Sequence, residues 1–187
     1  MYKHRTIIAF VIVALLQLFI PAQMIFHRED ILEKGTEFKF QTAPIDPNDP
    51  FRGKYTSLNF EQNFILTKDG KKFKDAKEVY VFLKNNQDGF AIFDSISVTK
   101  PSEGNNFLKV ERGTIQSDRI YLYLPFDRFY MEESKAPKAE KALAVFSTDT
   151  LKKAYAIVSV RNGEGVLKDV MIDGKSINEI AREHKGN

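Results

Sequence analysis

The side chains best able to do chemistry crowd into one stretch, PIDPNDPFRGKYTSLNF, residues 44–60. Asp46 and Asp49 offer carboxylates, Asn48 an amide oxygen, and Arg52 and Lys54 cations. Hard oxygen ligands suit calcium, but the D-x-[DN]-x-[DN]-G spacing of a calcium loop is missing, so no metal is expected. Pro44, Pro47 and Pro50 each fix φ and press the preceding residue into extended geometry. Three of the chain's 7 prolines so placed favour a stiff, polyproline-like bend. Asp46 and Asp49 can accept backbone N–H groups, Arg52 can bridge to either, and Gly53 permits a positive φ or a close approach. The structural reading is a rigid corner between two strands. The functional reading is a corner that presents Asp46, Asp49, Arg52 and Lys54 to a partner.

Catalytic constellations are scarce. His4 and His27 flank an apolar run and His184 lies near the C-terminus, which disfavours a Ser-His-Asp or histidine-zinc site inside the domain. With 0 cysteines there are no disulfides, thiol nucleophiles or cysteine-held metals. A Ser–Lys pair stays open, since its members need not be near in sequence. Glu133 and Glu140 are a further carboxylate pair, although acids early in an Ala/Lys/Glu helix ordinarily just favour its N-terminus. Arg128 reads as one half of a structural ion pair, with partner binding as the alternative. Tyr121, Tyr123, Phe126, Phe129 and Tyr130 read as core aromatics of a strand, with a ligand surface as the alternative. No glycine-rich phosphate loop occurs, and no cofactor is expected. Charges of both signs are mixed, with a net of +3, which does not suit nucleic acid.

The elements that must position these residues begin with an anchor. Residues 1–5 form a basic tail with Lys3 and Arg5, and residues 6–26 are apolar apart from Gln17, Pro21 and Gln23. About 20 such residues cross a hydrocarbon core roughly 30 Å thick. A cleaved signal peptide is the rival, but a cut after Ala22 would place Ile20 in the small-residue position. The expectation is an uncleaved signal anchor in the cytoplasmic (inner) membrane, with the tail inside and residues 27–187 forming one extracytoplasmic domain. Gln17 and Pro21 are tolerable in a spanning helix and either can mark a contact with another helix.

Beyond the anchor the chain reads as strands. TEFKFQT alternates, and YTSLNFEQNFILT places Leu58, Phe60, Phe64 and Leu66 on even positions, as one long half-buried strand. EVYVFLK, apolar on both faces, reads as an interior strand forming a hairpin with FAIFDSISV across NNQDG. FLKVERGTI and RIYLYLPF follow, and AYAIVSV and VLKDVMI form another hairpin across RNGEG. A short helix is expected over residues 137–146, and Ser176 with Glu179 predicts a terminal helix through a capping box. The fold class is β-rich α+β: an N-terminal transmembrane helix, then an antiparallel sheet or partly open barrel with two short helices.

The stretch PIDPNDPFRGKYTSLNF resembles the segment that names the GDYXXLXY family of membrane-anchored bacterial proteins. Gly53, Tyr55 and Leu58 match the motif, Phe60 replaces its last tyrosine, and Lys54 stands where the family has aspartate. DRFYMEESKAPKAEKAL, with Arg128 and Glu133, and YAIVSVRNGEGVLKDVMIDGKSI also resemble family segments. The resemblance implies a membrane helix, an extracytoplasmic β-rich domain, the company of multi-spanning membrane proteins, and no established activity. Lys54 weighs against any role that needs a carboxylate there.

The function expected is therefore non-enzymatic: an accessory or scaffold subunit of a multi-spanning membrane protein. Contacts would run through the anchor and through Asp46, Asp49, Arg52, Gly53, Lys54, Tyr55, Leu58, Phe60, Arg128 and Glu133. The alternatives are an anchored hydrolase or peptidase with Ser–Lys or carboxylate chemistry, and a periplasmic module for a small ligand.

Overall fold

The structure, a computed structural model, describes residues 2–43, 55–102, 104–130 and 154–183. A helix, α1 (Tyr2–Lys34), leads straight into β1 (Thr36–Ala43) through Gly35. It does not end where the apolar run ends at Phe26; it continues for two further turns. The physical reason lies in the contacts those turns make. Lys34 Nζ pairs with Asp30 one turn earlier at 2.7 Å, and Ile31 is buried against the domain at 2% exposure. The part of α1 that is long and apolar enough to cross a membrane is not buried against the domain.

The strands after β1 are β2 (Tyr55–Ser57), β3 (Asn59–Phe60), β4 (Phe64–Leu66), β5 (Glu78–Asn85), β6 (Ala91–Ser97), β7 (Phe107–Gln116), β8 (Arg119–Tyr123), β9 (Arg128–Tyr130), β10 (Ala154–Arg161), β11 (Glu164–Ile172) and β12 (Lys175–Ser176). One antiparallel sheet has the order β12-β11-β10-β1-β3 and a second the order β4-β8-β7-β5-β6, while β2 and β9 form a two-stranded ribbon. The arrangement is barrel-like and nearly closed. At one seam Leu108 of β7 bridges to Gly163, whose carbonyl accepts the Lys109 N–H at 2.7 Å. At another, Phe40 of β1 meets Phe93 of β6 with ring centres 6.5 Å apart.

Period-two alternation builds the core. Phe38 and Phe40 point inward from β1, Val79, Val81 and Leu83 from β5, and Val158 and Val160 from β10. The expected hairpins form: β5 with β6, and β10 with β11. In the second, Arg161 faces Glu164 across Asn162 (φ 52°) and Gly163 (φ 93°), the two positive-φ residues of a type I′ turn that follows strand twist. The interior strand β5 lies between β6 and β7 as its composition suggested.

The long strand expected over residues 55–67 is a correction. It breaks into β2, β3 and β4, which pair with β9, β1 and β8 respectively. Residues 61–63 leave the ladder and are tied down individually. Glu61 N–H bonds to the Gln41 carbonyl, the Gln62 side-chain oxygen accepts the Phe93 N–H at 3.0 Å, and the Asn63 carbonyl accepts the Leu122 N–H at 2.8 Å. The bend slips the phase by one residue. Leu58 and Phe60 are buried, but then Ile65 faces the core, Phe64 is half-buried and Leu66 is 61% exposed. Hydrophobic alternation cannot register a bend whose residues are held by side-chain and cross-sheet bonds.

The terminal helix, α2 (Ile177–Glu183), starts as expected, with Ser176 Oγ accepting the Asn178 N–H at 3.2 Å. Ile177 and Ile180 pack it on the core. The helix expected over residues 137–146 lies outside the described residues.

Candidate functional site

Two of the segments that carry the resemblance meet in space. Strand β2 pairs antiparallel with β9, so that Tyr55 faces Tyr130, Thr56 faces Phe129 and Ser57 faces Arg128. Leu58 N–H then bonds to the Asp127 carbonyl at 2.7 Å. Leu58 and Phe60 turn inward at 3% and 8% exposure, and their side chains serve packing. The Phe60 ring meets Phe40 edge-on at 5.9 Å and Phe126 at 5.5 Å, joining β3 and β1 to the β8–β9 connection. Asp46, Asp49, Arg52, Gly53, Lys54 and Glu133 lie outside the described residues.

Arg128 is exposed on β9 beside a groove of about 880 Å³. Its walls come from Met24, His27 and Arg28 of α1, residues 125–129, and residues 163–168 at the β10–β11 turn, with Lys109 and Asn178 completing it. Along this groove the start of β11 packs closely on the core because Gly165 has no side chain. A Cβ there would lie 2.9 Å from both Leu108 and Phe126. The charged walls of the groove come from segments far apart in the chain. His27 and Glu164, for instance, pair at 3.0 Å across 137 residues of chain.

Among the groove's charged side chains bases outnumber acids. His27, Arg28, Lys109, Arg128 and Lys168 stand against Asp127 and Glu164. Lys109 is held protonated above its ordinary range, chiefly by a hydrogen bond to Glu78. Lys168 pairs with Glu37, and Arg128 Nε lies 3.8 Å from Asp127. The described residues hold no cluster of acids and histidines that could seat a metal. The groove sets exposed cations beside Phe126, Phe129, Val166 and Leu167.

What holds α1 at the edge of this groove is a compact junction. Asp30 receives the Arg161 guanidinium and the Lys34 ammonium, and Ser159 Oγ, fully buried, donates to the Ile31 carbonyl at 2.6 Å. The Arg161 hydrogen bond first, and the Lys34 bond second, lower the Asp30 carboxyl from 3.8 to about 2. A depressed carboxyl stabilises the folded junction fully above its unfolded value, and the contribution disappears as pH falls through about 2. Hydrogen exchange at residues 28–35, taken relative to its intrinsic rate at each pH, should therefore quicken between about pH 4 and pH 2. In Arg161→Met it should be quick already at pH 5. Equal protection in the variant at pH 5 would show that the pair contributes nothing to the junction.

No curated protein and no solved structure matches the chain. A family model, described as GDYXXLXY protein, matches residues 17–170, from the middle of α1 through the motif strands and into β11. With the greater part of its length matched, the chain belongs to the GDYXXLXY family.

Proposed function

We propose that this protein is a single-pass, membrane-anchored accessory subunit, without catalytic activity of its own, whose β-rich domain stands at the extracytoplasmic face of the inner membrane beside a multi-spanning partner. The observation that carries the reading is the continuity of α1. Its apolar part has no polar face and no cover from the domain, whereas its last two turns are locked to β10 by Asp30, Ile31 and Arg161. A disposable signal segment has no need of such a junction. An anchor that must hold a domain at one place on a membrane does.

The β2–β9 ribbon supports a recognition role for the motif. It sets the Tyr55–Ser57 backbone against Arg128–Tyr130, with Tyr55, where the motif enters the ribbon, opposite Tyr130. Asp46, Asp49, Arg52, Lys54 and Glu133 are the contact residues proposed with it. The test is co-purification of tagged full-length protein from its native membrane in mild detergent after light crosslinking. A stoichiometric multi-spanning protein is expected, reduced about tenfold or more in Arg52→Ala if the corner makes the contact. Recovery of no reproducible partner would sink the subunit reading. Undiminished recovery with Arg52→Ala would make the corner a structural bend only.

A further inference from the structure

The apolar surface of α1 is interrupted at Gln17, Pro21 and Gln23, and the groove shows where the pair Gln17 and Pro21 leads. Gln17 is exposed within the span. Pro21 has no N–H, so the Gln17 carbonyl loses its intrahelical donor. An amide side chain and a freed carbonyl thus share one height on the helix. At 3.6 residues per turn, Gln17, Pro21, Met24 and Arg28 fall within an arc of about 60°. Met24 and Arg28 line the groove, and Ile31, on the same side, docks into the domain. One stripe therefore runs from the interrupted part of the span into the groove. The rise from Gln17 to Arg28 is about 16 Å, close to half a hydrocarbon core, so Gln17 lies near the midplane when Arg28 is at the interface.

We propose that this stripe is the docking face for one transmembrane helix of a multi-spanning partner. That helix carries a hydrogen-bonding side chain opposite Gln17 and a carboxylate at the groove beside Arg28. The inference rests on the accessory-subunit reading. Hydrocarbon offers Gln17 and its carbonyl no partner, whereas a polar side chain on a neighbouring helix does. None of the ion pairs among the described residues engages Arg28, which stands at the mouth of a groove already rich in cations. A second copy of this chain would set Arg28 against Arg28 and one cationic groove against another. A lipid tail would leave the Gln17 amide unsatisfied. An acid-bearing helix meets both demands.

The chain has 0 cysteines, so Met24→Cys provides a single thiol for a benzophenone-maleimide crosslinker in full-length protein in its native membrane. Phe26→Cys, about 180° from Gln17 around the helix, is the control. The expected result is a Met24→Cys adduct with a multi-spanning protein, mapped to a helix end bearing Asp or Glu, at least about fivefold stronger than from Phe26→Cys. Adding Gln17→Leu or Arg28→Ala should weaken it by about fivefold, the scale of one lost interhelical polar contact. Gln17→Leu makes the span more apolar, so insertion persists, as the amount of protein in the membrane fraction will show. Equal adducts from both positions, an adduct with lipid or with a second copy, or indifference to both added substitutions would overturn the inference. If a multi-spanning partner still co-purifies in that event, the subunit reading survives and only this face is wrong. If none does, both fall.

Discussion

Gly35→Ala should unfold the junction between anchor and domain, lowering stability by about 3 kcal/mol, at the upper end for overpacking. A Cβ on Gly35 would lie 2.2 Å from Ser159 Oγ and 2.5 Å from the Ile31 carbonyl oxygen. Neither neighbour can yield cheaply. Ser159 is fully buried and bonded to that same carbonyl, and Gly35 N–H itself bonds to it at 2.9 Å. A domain of this size loses about 2–4 °C per kcal/mol, so the melting temperature should fall by roughly 6–12 °C. Thermal unfolding of the full-length protein in detergent, followed by circular dichroism, measures it. An unchanged midpoint would mean that α1 leaves the domain by another path.

Phe126→Ala should cost about 3–5 kcal/mol, the usual range for emptying a buried aromatic site. Phe126 is 3% exposed, and its ring centre lies 5.1 Å from that of Phe40 and 5.5 Å from that of Phe60. It also fills the notch left open by Gly165. Truncation therefore removes packing from the motif strand, from β1 and from the groove wall together. The same assay with Tyr123→Ala, an exposed neighbour on β8 at 62%, should change stability by about 0.5 kcal/mol or less. Equal losses at the two sites would refute the aromatic hub.

Much of the architecture was legible because it follows from local chemistry. The apolar span, the alternation in β1, the positive-φ turn residues Asn162 and Gly163, and the Ser176 cap are each written within a few neighbouring residues. The break at Glu61–Asn63 was not, because its bonds come from Gln41, Phe93 and Leu122 on other strands. Nor was the helical continuation past Phe26. The charges of Arg28, Glu29 and Asp30 look like the end of a span by hydropathy, but Arg161, far along the chain, gives Asp30 a reason to stay helical. The groove was the least legible feature. Phe126, Arg128 and Phe129 stood out among the resemblance and aromatic residues, whereas nothing local placed Lys109 beside Glu164 and Lys168, which takes the Leu108–Gly163 bridge between β7 and the β10–β11 turn.

The direct passage from α1 to β1 through Gly35 makes the anchor a keyed shaft rather than a tether. A flexible linker would let the domain swivel and sample many heights above a bilayer. Here the azimuth of the groove is geared to the azimuth of the helix. Each residue added to the helix between Gln17 and the junction would turn the domain by about 100° and lift it by about 1.5 Å. Turning α1 about its own axis would sweep the groove through the same angle.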